Sequence, residues 1–371
     1  MNHCKSGNYL VQRLVIIAIS TQAICACVTS DVVPVENMAV IASDAVASDA
    51  LKSNAVTDDV QAPRKIATDI QNAPISPAPD IKALTIERAA ATGNLQDRQL
   101  SEVSGLSASA KQPGLLFAIN DSGNQPALYA INQTGQLLEQ WRINSVNRDW
   151  EDMTRLTLAG KDYLVIGDTG DNLLVHKVYS LLFFAEPAIP ARTQSLDPAF
   201  VLQFRYEDGP RNVEAFAAFG NAIYLLSKEP VSLASQSPNG VYRLELPANL
   251  EQLTHDSPLT ATRIGSMPVR IGGLESRLAA ALAGVDLSHP TALAFDANGN
   301  TAYVLTYREV LRIRRNTEQN WAEAFSQPAE RVLSHKLPQA EALTVSSESV
   351  IWFTSENAGA PLWAVPINPP L

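Results

Sequence analysis

The sequence predicts an all-β fold, a β-propeller of five blades with four antiparallel strands each, and three observations carry that expectation. Beyond about residue 80 the chain breaks into short β-branched and aromatic runs punctuated by Gly, Pro, Asn and Asp, the pattern of many short strands. Three kinds of run recur in the same order five times, at nearly constant spacing. The last repeat lacks a fourth strand, which the start of the domain can supply, as closure of a ring without open edges requires.

The inner strands open at Ser104-Gly-Leu106, Glu151-Asp-Met153, Glu214-Ala-Phe216, Thr291-Ala-Leu293 and Glu341-Ala-Leu343. The second strands end at Asp121, Asp168, Lys228, Tyr307 and Glu356, which lie 17, 17, 14, 16 and 15 residues beyond those openings. Third strands follow at Leu128–Ile131, Val178–Leu181, Val241–Leu244, Val310–Ile313 and Leu362–Val365, where the recurrent aromatic is a packing position. Outer strands are expected at Leu137–Ile143, Phe200–Tyr206, Ala261–Met267 and Arg331–Leu337, and the ring is expected to close through Ile81–Glu87. The repeats are 47, 63, 77 and 50 residues apart. The long interval leaves six blades as the alternative, although Gly273–Gly284 reads as an inserted Ala/Leu helix that accounts for the excess.

The three cysteines, Cys4, Cys25 and Cys27, precede the domain, so its core is held by packing without disulfides or Cys-ligated metal. Residues 1–27 read as an export signal: Lys5 and Arg13 precede the apolar run Leu14–Ile19, which is too short to span a bilayer. Ile24-Cys25-Ala26-Cys27 resembles the bacterial lipobox, which implies lipidation of Cys27; ordinary signal cleavage near Ala26 is the alternative. By the same resemblance Val28 points to the outer membrane, with contact to the bilayer only through the N-terminal lipid. Residues 28–80, rich in Ala, Ser, Asp and Pro and without an aromatic, read as a disordered tether ahead of a propeller domain over 81–371. A net charge of −10, from 38 acidic and 28 basic residues with no basic stripe, argues against nucleic acid as a partner. The protein is expected to be a monomer.

Neighbouring strands of a blade are antiparallel, so inner-strand starts and second-strand ends share one face of the disc. That face gathers Glu102, Asp121, Asp149, Glu151, Asp152, Asp168, Asp171, Glu214, Glu229, Glu341 and Glu356, with Arg148, Lys228, Arg308, His289 and Tyr307 at matching positions. So many carboxylates at one channel mouth must be protonated, salt-bridged or bound to a cation, and an oxygen-only ligand set favours Ca²⁺. Asp121, Asp149, Asp152, Lys228, Tyr307, Arg308 and Glu356 are the expected ligand contacts, and Asp168 or His289 the base if the site is catalytic. Structural roles compete: Asp168-Thr-Gly-Asp-Asn172 can be a turn whose side chains cap their own backbone, and an inner-strand Glu can accept N–H groups of the next blade. Trp150 reads as a wedge between blades. Zinc-protease, nucleophile-elbow, Walker and dinucleotide motifs do not occur in the sequence.

Ser104-Gly-Leu, Asn120-Asp-Ser-Gly, Asp149-Trp-Glu-Asp, Gly167-Asp-Thr-Gly-Asp-Asn172, Glu186-Pro and Glu341-Ala-Leu resemble a group of exported bacterial propeller proteins. More distantly they resemble the esterase-like phytase and gluconolactonase-like propellers, over about residues 99–367. The resemblance implies a cation site at one face, with Glu151, Glu214 and Glu341 at the metal-bearing positions. It implies in some members hydrolysis of a phosphate ester or lactone. Ser104 and Thr291 depart from the acid pattern, and the dense Lys/Arg set suited to a polyanionic substrate is absent, which favours a small neutral or singly charged ligand. Two functions follow as expectations: an envelope module that binds a small molecule, glycan or cationic envelope protein, or a Ca²⁺-dependent hydrolase of a phosphate ester, lactone or ester. Convergence of Lys228, Arg308 and His289 on the acids would favour the hydrolase.

Overall fold

The computed structural model describes residues 89–229, 237–248, 257–268 and 287–367. The export segment with Cys27, the tether, Ile81–Glu87 and Gly273–Gly284 lie outside the described residues. The described chain is all-β apart from one short helix, Trp321–Phe325 (α1), opened by a capping box between Asn320 and Glu323.

Its strands form five antiparallel four-stranded units. The first is β2 (Val103–Ala108), β3 (Leu115–Asn120), β4 (Ala127–Asn132) and β5 (Leu137–Ile143), with β9 (Ser195–Leu196) added in parallel at its edge. The second is β6 (Trp150–Leu158), β7 (Lys161–Asp168), β8 (Tyr179–Ala185) and β10 (Phe200–Tyr206). The third is β11 (Val213–Phe219), β12 (Ala222–Ser227), β13 (Asn239–Glu245) and β14 (Leu259–Met267); its outer strand pairs in parallel with β10, which merges the two units into one eight-stranded sheet. The fourth is β15 (Pro290–Phe295), β16 (Thr301–Thr306), β17 (Glu309–Arg314) and β18 (Glu330–Ser334). The fifth is β19 (Ala340–Val345), β20 (Val350–Ser355), β21 (Pro361–Pro366) and, at its outer edge, β1 (Ala90–Asn94).

The closing strand is therefore β1, which pairs antiparallel with β21 from Ala90 opposite Ala364 to Asn94 opposite Pro361. The sequence expectation placed it at 81–87. The fourth outer strand is likewise Glu330–Ser334 rather than 331–337. β1 is the less legible, because Ala-Ala-Thr-Gly-Asn has no apolar alternation and is held mainly by its partner's ladder.

The inner strands touch in the cycle β2, β6, β11, β15, β19 and back to β2, so the described units close a ring, a β-propeller. Side-chain alternation explains why. In β12, Ile223 and Leu225 face the second unit while Ala222, Tyr224 and Leu226 face the fourth. The period of two thus gives every blade-like sheet two apolar faces, and the core divides into five clusters, one per junction between neighbours. Trp150 is fully buried among Phe117, Ile119, Leu164 and Phe184, a wedge between the first and second units.

Candidate functional site

Every inner strand carries a β-bulge at the same place. The ladder register shifts at Ser104 in β2, Glu151 in β6, Glu214 in β11, Thr291 in β15 and Glu341 in β19. A bulge leaves one residue out of the ladder and re-aims its side chain, so the five openings aligned in sequence become five side chains at one end of the ring. Their chemistry then divides. Ser104 Oγ donates to the Trp150 carbonyl at 2.9 Å and Thr291 Oγ1 to the Ala340 carbonyl at 2.7 Å, which pins the residue just before Glu151 and just before Glu341. The three glutamates remain to line the mouth.

On one side, Lys228 Nζ forms an ion pair with Glu214 and lies 3.3 Å from Tyr307 Oη. The Tyr307 hydroxyl is also 3.4 Å from Glu214 Oε2 and 3.3 Å from Glu341 Oε1. Burial, followed by the charges of Glu214 and Glu341, holds the phenol protonated, so it donates. Burial lowers the Lys228 pKa, but Glu214 and the neighbouring acids outweigh it and keep the ammonium charged. Glu341 and Glu356 pair carboxyl to carboxyl, which requires a proton between them; burial first, then their mutual and neighbouring charges, raise Glu341 well above the ordinary range.

On the other side, one carboxylate oxygen each from Asp121, Asp149 and Glu151 lie within 4.8 Å of one another. Burial raises Asp121 to about 7, helped by Asp149 and Glu356 and opposed by the Ser122 N–H. Asp149 is raised by burial and by Glu214, against the Ser122 hydroxyl. Glu151 is raised well above the ordinary carboxylate range: burial dominates, and Glu214, Asp121, Asp149 and Glu341 all add to it. This side chain is only 7% exposed and accepts a hydrogen bond from none of the described groups. Gly170 closes over it, and a Cβ there would collide with Glu151 Oε1 and Asp149 Oδ2.

The remaining predicted residues are brought elsewhere. Asp152, one residue past the bulge, is fully buried and accepts from the N–H groups of Met153 (2.8 Å), Phe216 (3.1 Å) and Leu293 (3.2 Å). It ties β6 to β11 and to β15, and so takes the backbone-accepting role considered for the inner-strand glutamates. Asp168 accepts from the Asp149 N–H at 3.0 Å and pairs with Arg148 Nε at 3.4 Å, which anchors the loop before β6. Asp171 caps its own turn by accepting from the N–H groups of Val175 and His176, at 2.9 and 2.8 Å, and accepts from the Tyr179 hydroxyl at 2.9 Å. Those bonds outweigh burial and lower its pKa. His289 Nε2 lies 2.9 Å from the Glu229 carbonyl. Arg308 is exposed and makes none of the contacts that join Lys228 to the acids. Ser122, whose N–H donates to Asp121, and Gly170 were not singled out from sequence as site members, though they lie inside the Asn120–Gly123 and Gly167–Asn172 motifs.

No protein-family model matches the chain, and no curated protein matches it. Solved structures similar to it include the PQQ-bound aldose sugar dehydrogenase of Streptomyces coelicolor, at 9% identity and a TM-score of 0.40, covering 77% of this chain and 100% of that one. The apo aldose sugar dehydrogenase of Escherichia coli is 8% identical with a TM-score of 0.40, covering 76% and 100%. A nidogen/laminin complex is 10% identical with a TM-score of 0.33, covering 69% and 73%. Likenesses at this level carry no argument about function.

Proposed function

We propose that the protein is a five-bladed β-propeller whose acidic mouth binds a divalent cation, Ca²⁺ by the character of its ligands, as part of an envelope binding module. Five inner strands in mutual contact around the ring support five blades, since a sixth would need a gap between two of them. The observation that carries the cation is Glu151: a carboxylate 7% exposed that has no donor among the described residues and faces two further carboxylates. Ca²⁺ takes oxygens at about 2.3–2.6 Å, so it spans oxygens up to about 5 Å apart, and the 4.8 Å limit of this cluster fits. Asp121, Asp149 and Glu151 would hold the ion, while Glu214 and Glu341 stand beside it with Lys228 and Tyr307. A bound ion would neutralise the three carboxylates and offer a hard Lewis-acidic face to oxygen atoms of a ligand.

The binding reading is favoured over the hydrolase because the cations that reach the acids among the described residues, Lys228 and Arg148, are engaged by Glu214 and Asp168. A small molecule, a glycan or a cationic envelope protein suits the acidic face, and nucleic acid does not. On residues 1–27 alone we also propose export and lipid anchoring at Cys27.

Thermal melting of the chain in EDTA and in Ca²⁺ tests the site. At Ca²⁺ a hundredfold above its dissociation constant the melting temperature should rise by about 5 °C. Glu151→Gln and Gly170→Ala should each abolish the rise, the second with every acid still present. An unchanged wild-type melting curve overturns the cation site.

A further inference from the structure

The opposite end of the ring is built from different chemistry. Counted from the bulges, β2, β15 and β19 run four residues and β11 five, but β6 runs seven, to Leu158, before the Ala159-Gly160 turn. The β6–β7 hairpin therefore overhangs this mouth and carries Arg155 to it. A cavity of about 350 Å³ opens there, bounded by all five inner strands.

Its wall has two sides. Ser107, Thr154 and Thr344 supply hydroxyls from the first, second and fifth units, and Phe219 and Phe295, with ring centroids 5.5 Å apart, supply an aromatic wall from the third and fourth. Arg155 is half-buried at the rim. Its Nη1 donates to the Ser109 carbonyl at 3.2 Å, and no described carboxylate lies within 4.0 Å of its guanidinium. Asp296, the carboxylate in the lining, is occupied by the N–H groups of Asn300 and Thr301 at 2.8 and 3.1 Å. Arg155 and the hydrogen-bonded Asp296 give this mouth one charge of each sign, and the guanidinium has no described carboxylate partner, whereas the other mouth is acidic.

We propose that this mouth is a second ligand site, for a single sugar ring bearing a carboxylate. The C–H face of a pyranose suits the phenylalanine wall, its hydroxyls suit the Ser/Thr wall, and a carboxylate matches the planar donor fork of Arg155. The volume lies within the range of small-ligand pockets, at the end suited to one ring. Asp152, bonded to three inner strands between the two mouths, separates this site from the cation cluster.

Calorimetric titration of the full chain in EDTA, with galacturonate, galactose and acetate as probes, tests the proposal. Galacturonate should bind at least tenfold more tightly than galactose or acetate. Arg155→Gln should weaken galacturonate tenfold or more, and Arg155→Lys by less. No galacturonate binding, equal binding of galactose, or an affinity unchanged in Arg155→Gln overturns the site. A second measurement needs no variant: in the wild type, galacturonate should shift the amide resonance of Gly220, at this mouth, and leave that of Gly123, beside Asp121, in place. A shift at Gly123 instead would place the ligand at the acidic mouth and overturn the proposal.

Discussion

The two sides of the acidic mouth solve one electrostatic problem differently. Around Glu214 and Glu341 the chain supplies its own cation, Lys228, and its own neutral donor, Tyr307. Around Glu151 none of the described cations pairs with Asp121, Asp149 or Glu151, and the three carboxylates face one another under a glycine, with the Ser122 N–H donating to Asp121. Burial raises the cost of each charge on both sides. A side with an internal counter-charge is structurally complete, whereas a side without one is complete only with protons or an added cation.

Removing the internal cation should have the largest effect on that contrast. Lys228→Met leaves Glu214 buried beside Glu151 and Glu341, and should cost about 3 kcal/mol in urea unfolding at neutral pH in EDTA. A loss below about 1 kcal/mol would show that the two sides are not distinguished by Lys228. Next in size is the pH dependence of the other side. Folded-state pKa values raised above the unfolded ones mean the folded protein binds more protons there. Stability from these groups is fully present below about pH 4, the unfolded Asp value, and is lost as pH rises through about 7, the folded value of Asp121. In EDTA the urea midpoint should fall between pH 5 and 8, and Ca²⁺ should flatten that slope; an equal slope with and without Ca²⁺ would break the comparison. The smallest effect belongs to a bulge whose side chain bonds backbone rather than a carboxylate: Thr291→Val should cost about 1 kcal/mol for the lost bond to Ala340, with Ca²⁺ response intact.

Much of this was legible in the chain. Alternation and repeat spacing located the inner strands, and the alignment of Ser104, Glu151, Glu214, Thr291 and Glu341 marked the positions that bulge. Adjacent residues could not be separated that way. Glu151 and Asp152 look alike in sequence, yet the bulge turns Glu151 to the mouth and leaves Asp152 among N–H groups of β11 and β15, 64 and 141 residues away. The partition of the acids was hidden for the same reason: Glu151 joins Asp121 and Asp149, while Glu214 and Glu341 join Lys228 and Tyr307. β1 was displaced because its pairing is set by β21.

What the sequence determined by itself was local and periodic: strand patterning, the order of the repeats, and an acidic surplus at one set of strand ends. Those follow from side-chain alternation and turn chemistry, which act over a few residues. Tertiary structure decided which carboxylate meets a lysine, which meets only other carboxylates and which meets backbone, because those distances depend on bulge geometry and ring closure between strands far apart in the chain. The contrast between the two mouths arose the same way, from a three-residue overhang of one hairpin that gains meaning only when five units surround it.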